Sequence, residues 1–512
     1  MHAEAAAPKP VMGKTMLILS CLVLAFTNFM VVLDTTIANV SVAHIAGGLG
    51  ISSSEGTWVI TSYAVAEAIC VPLTGWLTKR FGTVRVFALG MAGFGIFSML
   101  CGMSWSLGSL ILFRIGQGLC GGPLMPISQT LLLSIFPKEK HAQATGIWAM
   151  TTIVAPILGP ILGGTISDNW GWHWIFFINI PIAAICAGGA MLLLRGAETK
   201  IEKARIDTVG LILLVVWVGA LQIMLDVGRE HDWFGSSLIV ALALVAASGF
   251  VFFTAWELMH GKPIVDLKVF RYRGFTVSVT ALVFAYAIFF ASLVVIPQWL
   301  QGSLGYTATW AGYAVAFNGV AAVMLAPVVA KLSTKVDERL LVSFGILWLG
   351  ATSLIRVFWW TTGADFWTLA IPQLIQGAGM PFFFVPLTTL ALGAVKEDEV
   401  ASAAGVMNFL RTMSGAVGTA VVTTMWYDGA QTKRAELSGV LNGAQATMQS
   451  LQARGLTLEQ SRQFLSNVVD GQSTALATGS VFVTAAITFA AAATIVWLAP
   501  RPKHAVAAGH AH

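Results

Sequence analysis

Residues 16–40 read "MLILSCLVLAFTNFMVVLDTTIANV", an apolar run that carries one charged side chain, Asp34. A helix of this length crosses a hydrocarbon core of about 30 Å at about 1.5 Å per residue. Within hydrocarbon, backbone amides and carbonyls need partners inside the protein, which only helices and closed barrels provide. Because the run is continuously apolar rather than alternating, it predicts a membrane-spanning helix.

The rest of the chain repeats this pattern. It is 56% hydrophobic and 10% charged, whereas soluble domains carry about a quarter charged residues. Charges, Pro/Gly clusters and turn residues divide it into fourteen apolar runs, so we predict fourteen spans. They are 16–40, 57–77, 84–104, 109–134, 142–165, 174–194, 206–226, 236–256, 274–298, 309–332, 339–359, 365–393, 399–426 and 473–498.

The lysines and arginines favour one side of the predicted membrane. With the N-terminus inside, the inner loops hold 21 of the 29 basic residues and the outer loops hold five. Basic loops stay in the cytoplasm, so both termini are predicted to be cytoplasmic. The one long hydrophilic outer segment, 427–472, could form one or two amphipathic helices. Two interpretations of it stay open, a solvated loop and a docking surface for an external partner.

The two ends of the chain resemble each other. "FRIGQGLCGGPLMP" (113–126) corresponds to "PQLIQGAGMPFFFVP" (372–386), and the same offset of 259 residues relates Gly146 to Gly405. Repeated bundles of helices are typical of transporters that work by alternating access. The predicted units are an N-terminal six-helix bundle (1–195), two inserted helices (206–256) and a C-terminal six-helix bundle (274–512).

Four stretches carry a family resemblance: "LDTTIANVSV" (33–42), "GWLTKRFG" (75–82), "FRIGQG" (113–118) and "APILGPILGG" (155–164). They resemble motifs of the major facilitator superfamily and, taken together, those of its fourteen-span drug:proton antiporters of the EmrB type. The second stretch departs from the pattern, since Lys79 stands where an acid is usual.

The resemblance implies an all-α integral membrane protein with the major facilitator fold, two six-helix bundles plus two additional helices. It also implies proton-coupled efflux of hydrophobic toxic compounds from a multi-pass position in a bacterial inner (cytoplasmic) membrane. The implied partners are a periplasmic adaptor protein and an outer-membrane channel. Two alternatives stay open, a dedicated exporter of a single metabolite and a non-transporting membrane sensor.

Charged side chains inside the predicted spans are the first functional candidates. Such a side chain costs roughly 2.5–3.5 kcal/mol on insertion scales, so it is seldom present without a role. Asp34 is the first candidate for the proton carrier and Glu67 is the second. Arg114 stays charged and cannot carry a proton, but it can bias the protonation of a nearby acid. The alternatives are a water-facing acid for Asp34, a solvated or cavity-lining polar group for Glu67 and a purely structural contact for Arg114.

The motif in the fifth span predicts a gate. Gly159 and Gly163 form a small-xxx-small face that allows a neighbouring helix to approach closely. Pro156 and Pro160 remove backbone hydrogen bonds and permit a kink. With Gly164 they form the candidate gating motif, and we expect the span to pack across the two halves.

Substrate-binding candidates share amide, aromatic, thioether or guanidinium side chains in predicted spans. They are Asn28, Met30, Gln117, Gln129, Tyr286, Asn318, Gln376, Phe383, Asn408 and Arg411.

The sequence predicts neither a cofactor nor a metal, and no nucleic-acid partner. The "GKT" of residues 13–15 mimics the end of a phosphate loop, but Pro8 stands where that loop needs a glycine. A proton gradient is therefore the expected driving force. The sequence shows no nucleophile–base pair or metal-binding group of residues that would predict an enzyme.

Overall fold

A computed structural model describes residues 13–137, 140–202, 206–261, 263–440 and 443–501. These ranges contain helices and connecting segments, with no β-strand. Some basic residues that contributed to the predicted orientation lie outside the described residues, and they are Lys9, Lys138, Lys203, Arg205, Lys262 and Lys503.

Eighteen α-helices make up the described part of the chain. The first nine are α1 (Lys14–Leu49), α2 (Ser53–Cys70), α3 (Thr74–Phe81), α4 (Thr83–Gly102), α5 (Leu107–Gly121), α6 (Leu124–Ile135), α7 (His141–Trp170), α8 (Trp174–Phe177) and α9 (Asn179–Leu193). The other nine are α10 (Thr208–Val227), α11 (Ser237–Met259), α12 (Arg273–Leu304), α13 (Ala308–Leu332), α14 (Glu338–Trp359), α15 (Phe366–Gly393), α16 (Val400–Gly439), α17 (Ala444–Ala453) and α18 (Leu458–Val496).

The protein is a multi-pass helical membrane protein. In the described ranges, 11 helical segments are long and apolar enough to cross a membrane, or up to 13 when two bent helix pairs each count as one span. The remaining predicted span, 399–426, lies in α16 from its second residue onward, and α16 falls outside that set. The count of fourteen therefore stays a prediction.

Prolines explain the bends. The predicted second span is two helices, α2 and α3, inclined at 61° on either side of Pro72. Proline lacks the amide hydrogen that the helix needs and its ring clashes with the preceding turn. In α7 the segments Ala144–Pro156 and Leu158–Trp170 are inclined at 43°. The kink permitted by Pro156 and Pro160 is therefore present.

The hydrophilic segment 427–472 is helical over most of its length. Helix α16 continues through it to Gly439, α17 follows, and α18 begins at Leu458. Arg434 of α16 forms an ion pair with Asp470 of α18, with 2.6 Å between Nε and Oδ1. Two long helices thus extend past the apolar part of the bundle. We call this end of the molecule the α17 end.

Two groups of helices pack around the centre. In the N-terminal half, α1 contacts α2, α7 and α9, and in the C-terminal half α12 contacts α15, α16 and α18. Between the halves, α7 packs along α13, and α16 packs on α3 and α6. The inserted helices α10 and α11 pair with each other, and α10 also contacts α2 and α16.

The halves approach closely at the end opposite α17, where α3 meets the start of α16. A Cβ at Gly75 would lie only 3.4 Å from the Cα of Ser402. Lys79 and Arg80 end α3, and Arg271 lies beside Glu399 at the start of α16. We call this the basic end.

A carboxylate anchors the start of α16 at the basic end. Glu399 accepts hydrogen bonds from the Tyr272 hydroxyl (2.7 Å) and from Arg271 Nη2 (2.5 Å). The Tyr272 hydroxyl, followed by the charge of Arg271, holds the pKa of Glu399 below its usual value. A depressed pKa stabilises the fold above the unfolded-state pKa, and this contribution is lost as pH falls through the folded-state pKa.

We expect Tyr272→Phe to lower the melting temperature at neutral pH by a few degrees at most, because the pair is partly exposed. The difference from wild type should vanish in acid, once Glu399 is protonated in both proteins. Thermal unfolding of detergent-solubilised protein between about pH 3 and pH 7 measures this. Tyr306→Phe is the matched control, and a loss of equal size at every pH would contradict the assignment.

Candidate functional site

A buried ion pair joins two helices of the N-terminal half. Arg114 Nη1 of α5 lies 2.6 Å from Asp34 Oδ2 of α1, and their side chains are 0% and 1% exposed. Arg114 Nε also donates to the Val59 carbonyl at 3.1 Å, and the Tyr63 ring lies 4.2 Å from the guanidinium carbon. Buried charges of opposite sign compensate each other, and removing one leaves the other uncompensated. The structure therefore brings two of the predicted coupling residues into direct contact.

Two amides complete the surroundings of the Asp34 carboxylate. Gln117 Nε2 donates to Asp34 Oδ1 at 3.0 Å, and Asn179 Nδ2 donates to the same oxygen at 2.6 Å. Gln117 Oε1 also accepts from Arg114 Nη1 at 2.8 Å, and Asn179 donates to Ser98 Oγ at 3.1 Å. We call these five residues the ion-pair cluster. Since α1, α4, α5 and α9 all contribute, a proton on Asp34 would disturb contacts among four helices.

Sequence reasoning missed Ser98 and Asn179. A signal was available for Asn179, because it is the only amide in the apolar run "WIFFINIPIAAICAGG" (174–189). Polar residues inside a span usually face the protein interior and find a partner there. Ser98 carried no such signal, since a serine can bond its own helix backbone.

A cavity of about 480 Å³ lies between the two halves. Its deep part is lined by Glu67 of α2, Met125 of α6, Tyr286 of α12 and Arg411 of α16. Its lining continues to Arg229, Glu230 and Tyr427 near the α17 end, where Arg229 and Glu230 are exposed. The cavity is thus accessible from the α17 end. Thr35 and Thr36 also line it, immediately after Asp34 in α1.

Contacts across the halves close the cavity toward the basic end. Arg411 Nη2 lies 3.1 Å from Met125 Sδ, and its guanidinium carbon lies 5.4 Å from the Trp148 ring. One helical turn earlier, Asn408 Nδ2 donates to Gln129 Oε1 at 3.0 Å. The structure is therefore open toward the α17 end and closed toward the basic end.

The inserted helix α10 forms part of the cavity wall. Gln222, Leu225 and Asp226 line it, and Gln222 Nε2 donates to Asp226 Oδ1 at 3.2 Å. No pocket residue was predicted on the inserted helices. Their polar residues follow an apolar run. Such a pattern is the same for residues at a membrane interface and for residues in a cavity wall.

The structure places Tyr286 and Arg411, among the predicted substrate-binding residues, in the cavity lining. The predicted coupling residue Glu67 also lines it and is 7% exposed. The cavity is therefore lined by an ionisable side chain from each half, Glu67 and Arg411.

The other predicted pocket residues lie outside the lining, because their polar atoms bond to other helices or their side chains fill the core. Asn28 joins α1 to α7 by donating to Thr151 Oγ1 and Thr152 Oγ1, both at 2.7 Å. Met30 and Phe383 are 0% exposed and belong to the core. The remaining ones lie in the ion-pair cluster (Gln117), in the contact across the halves (Gln129, Asn408) and beside a buried arginine (Asn318, Gln376).

The fifth span packs across the halves as expected, since α7 lies along α13, but its motif glycines face α1 within the N-terminal half. A Cβ at Gly159 would lie 2.2 Å from Thr36 Oγ1, and one at Gly163 would lie 3.1 Å from the Ile37 carbonyl oxygen. Both neighbours belong to α1, and Gly164 is also buried.

The opposite face of α7 makes the contact between the halves. A Cβ at Gly312 of α13 would lie 2.9 Å from Ile161 and 3.6 Å from Pro160. One residue along a helix turns the side chain by about 100°, so positions 159 and 160–161 face different neighbours. Helix α7 therefore lies between α1, which carries Asp34, and the C-terminal half.

Comparison with known proteins agrees with this architecture. The family model described as Major Facilitator Superfamily matches residues 24–419. The chain is 44% identical to the Multidrug export protein EmrB of Escherichia coli (strain K12) over 498 residues, 96% of this chain and 97% of that protein. It is 42% identical to the Fatty acid resistance protein FarB of Neisseria gonorrhoeae, covering 95% and 97% of the two chains.

A solved structure shows the same fold. The proton:xylose symporter XylE aligns with a TM-score of 0.59 at 14% identity, over 96% of this chain and 98% of that one. The identity is too low to carry over a substrate, so this likeness concerns architecture alone. From its family match and its relatives, the chain belongs to the major facilitator superfamily, where it groups with the EmrB-type drug transporters.

Proposed function

We propose that this protein exports hydrophobic toxic compounds of varied structure across a bacterial inner membrane, in exchange for protons and by alternating access. The observation that carries the proposal is the buried Asp34–Arg114 ion pair, one residue away from the wall of a cavity between the halves. The names of the two relatives quoted above support drug efflux, since one denotes multidrug export and the other denotes resistance to fatty acids.

In the proposed cycle the cavity open at the α17 end exchanges drug for a proton. Proton uptake by Asp34 neutralises the partner of Arg114 and favours release of the drug, while Glu67 adjusts this response. One proton crossing about 100 mV contributes roughly 2.3 kcal/mol, and one pH unit adds about 1.4 kcal/mol. Together they sustain a substrate gradient of several hundredfold, which suffices for efflux.

The proposed topology has fourteen spans and two cytoplasmic termini. Helix α16 supplies the one span that is missing from the count of 13. Its buried residues pack between α12 and α18. The basic end then faces the cytoplasm and the α17 end faces the periplasm, in line with the charge bias.

We further propose that the protein is the inner-membrane part of a tripartite pump with a periplasmic adaptor and an outer-membrane channel. The α17 end carries exposed apolar side chains at Val440, Leu458 and Phe464, which suit a protein partner. Deleting α17 and testing co-purification with the adaptor checks this surface. Undiminished co-purification would move the docking surface elsewhere.

Dye transport in inside-out vesicles under an imposed pH gradient tests the main proposal. We expect an acidic vesicle interior to drive uptake of several chemically unrelated dyes. If no dye of a broad panel is taken up but a single metabolite is, the result would favour a dedicated exporter. Ligand binding without gradient-driven flux of any compound would favour the sensor.

Filling the cavity should block binding without unfolding the protein. Ala416 lines the cavity, whereas its neighbour Val417 does not and is 38% exposed at the surface of α16. We expect Ala416→Trp to weaken dye affinity at least about tenfold, because the indole occupies the space that the dye requires. Val417→Trp is the matched control and should bind normally. Fluorescence titration measures both, and equal affinities would exclude this cavity as the binding site.

A further inference from the structure

A second buried arginine lies in the C-terminal half. Arg356 of α14 is 0% exposed. Its Nη2 donates to Gln373 Oε1 at 2.7 Å and also to Gln376 Oε1, both on α15. Asn318 Nδ2 of α13 donates to Gln376 Oε1 at 3.2 Å. We call these four residues the Arg356 cluster, and none of them lines the cavity between the halves.

This cluster corresponds to the ion-pair cluster in the internal repeat. The offset of 259 residues relates Gln117 to Gln376 and Arg114 to Gln373. In the N-terminal half the arginine faces a carboxylate, Asp34. In the C-terminal half, no ion pair formed by the described residues includes Arg356. Both clusters combine an arginine with amides, but Arg356 stands on α14 at the position that corresponds to Phe97, and no carboxylate of the described residues pairs with it.

The polar atoms without protein partners in this cluster are mainly donors. Arg356 Nε, Arg356 Nη1 and Gln373 Nε2 are buried and make no hydrogen bond to protein atoms. Asn318 Oδ1 is the only acceptor of the cluster in the same situation. The aromatic faces of Trp360 and Phe482 lie 5.2 and 5.3 Å from the guanidinium carbon, so they supply weak cation–π attraction. A surplus of N–H groups around a fixed positive charge matches the chemistry of an anion.

Arg356 cannot become neutral by losing its proton, because an arginine guanidinium stays charged in proteins. A buried charge without a partner is strongly destabilising. We propose that the Arg356 cluster binds a small monovalent anion of the chloride class, which supplies the negative charge that Asp34 supplies in the other half. This site is separate from the transport cavity, and its occupancy stabilises the C-terminal bundle.

Thermal unfolding of the purified full-length protein tests the proposal, with sodium chloride exchanged for sodium gluconate at constant ionic strength. Ligand that binds only the folded state raises the melting temperature with the logarithm of its concentration. We expect a rise of roughly 1–3 °C for each tenfold increase in chloride. Arg356→Gln should abolish this dependence, and a chloride response that persists in Arg356→Gln would place the anion elsewhere.

A second variant keeps the test decisive if Arg356→Gln does not fold. Gln373→Glu places a carboxylate within reach of the guanidinium fork. It should raise the melting temperature in gluconate and remove the chloride dependence, because the anion is then built into the chain. Gln463→Glu, on the exposed part of α18, makes the same charge change and should retain the wild-type chloride response. A wild-type melting temperature that is identical in chloride and gluconate would overturn the proposal.

Discussion

Replacing Asp34 by asparagine is expected to reduce pH-gradient-driven dye transport at least about 100-fold while dye binding persists. Asparagine keeps the shape of the side chain but cannot exchange a proton, and Asp34 itself does not line the cavity. Initial rates of uptake in inside-out vesicles measure the loss. Asp168→Asn is the matched control, because Asp168 is an exposed acid of α7 that pairs with His44. Transport at the wild-type rate in Asp34→Asn would move the proton carrier elsewhere, with Glu67 as the next candidate.

The same variant should also be less stable, because Arg114 keeps its charge when Asp34 loses its own. Breaking a buried ion pair by removing one partner costs about 3–5 kcal/mol, whereas replacing both partners by uncharged groups is often neutral. The double variant Asp34→Asn/Arg114→Met should therefore recover most of the melting temperature without recovering transport. This separates the structural part of the ion pair from its coupling part. Recovery of transport in the double variant would contradict the proposed role of Asp34.

Gly377→Ala is expected to destabilise the C-terminal half more than other glycine replacements in the bundle. A Cβ at this position would lie 1.9 Å from the carbonyl oxygen of Asn318, so α15 and α13 would have to separate. Overpacking of this kind costs about 1–3 kcal/mol, and more when backbone atoms cannot move. The melting temperature of the purified protein measures the loss. Gly479→Ala of α18, where a Cβ meets nothing within 4 Å, is the control.

The repeat predicts that Gly118→Ala behaves in the same way. Gly118 lies 259 residues before Gly377, and a Cβ there would lie 2.6 Å from the carbonyl oxygen of Tyr63 on α2. A small residue at this point allows α5 to approach α2 as α15 approaches α13. If either alanine variant has the same melting temperature as the wild-type protein, the close approach of the helices at that position is not required for stability.

Much of the fold followed from the sequence because lipid imposes long apolar helices, which appear directly as apolar runs. The bend at Pro72 was not anticipated, since the surrounding residues are as apolar as those of an unbroken span. Helices were predicted as possible in the outer segment 427–472, but not that two of them would be continuations of α16 and α18 beyond their apolar parts. Hydropathy defines where lipid contact ends, whereas hydrogen bonding defines where a helix ends.

In the candidate site, the charged residues were predictable from the sequence and the amide contacts were not. Asp34 and Arg114 stood out because a charge inside an apolar run needs a partner, and they prove to be each other's partner. The amides were harder to assign, because an amide can face a ligand, its own half or the other half. Asn408 bonds Gln129, which is 279 residues away in the chain, and no local pattern predicts such a pair.

The position of α10 bears on how compounds reach the cavity. This helix contacts both α2 and α16 and turns Gln222 and Asp226 toward the cavity, while α11 packs on it and is largely exposed along Val251 and Phe252. A lipophilic compound that diffuses within the bilayer therefore meets two layers of helix on this flank. Under the proposed function, such a compound would exchange with the cavity through its opening at the α17 end, near Arg229 and Tyr427. We therefore expect compounds that desorb slowly from lipid to exchange slowly with the cavity, despite their high concentration in the membrane.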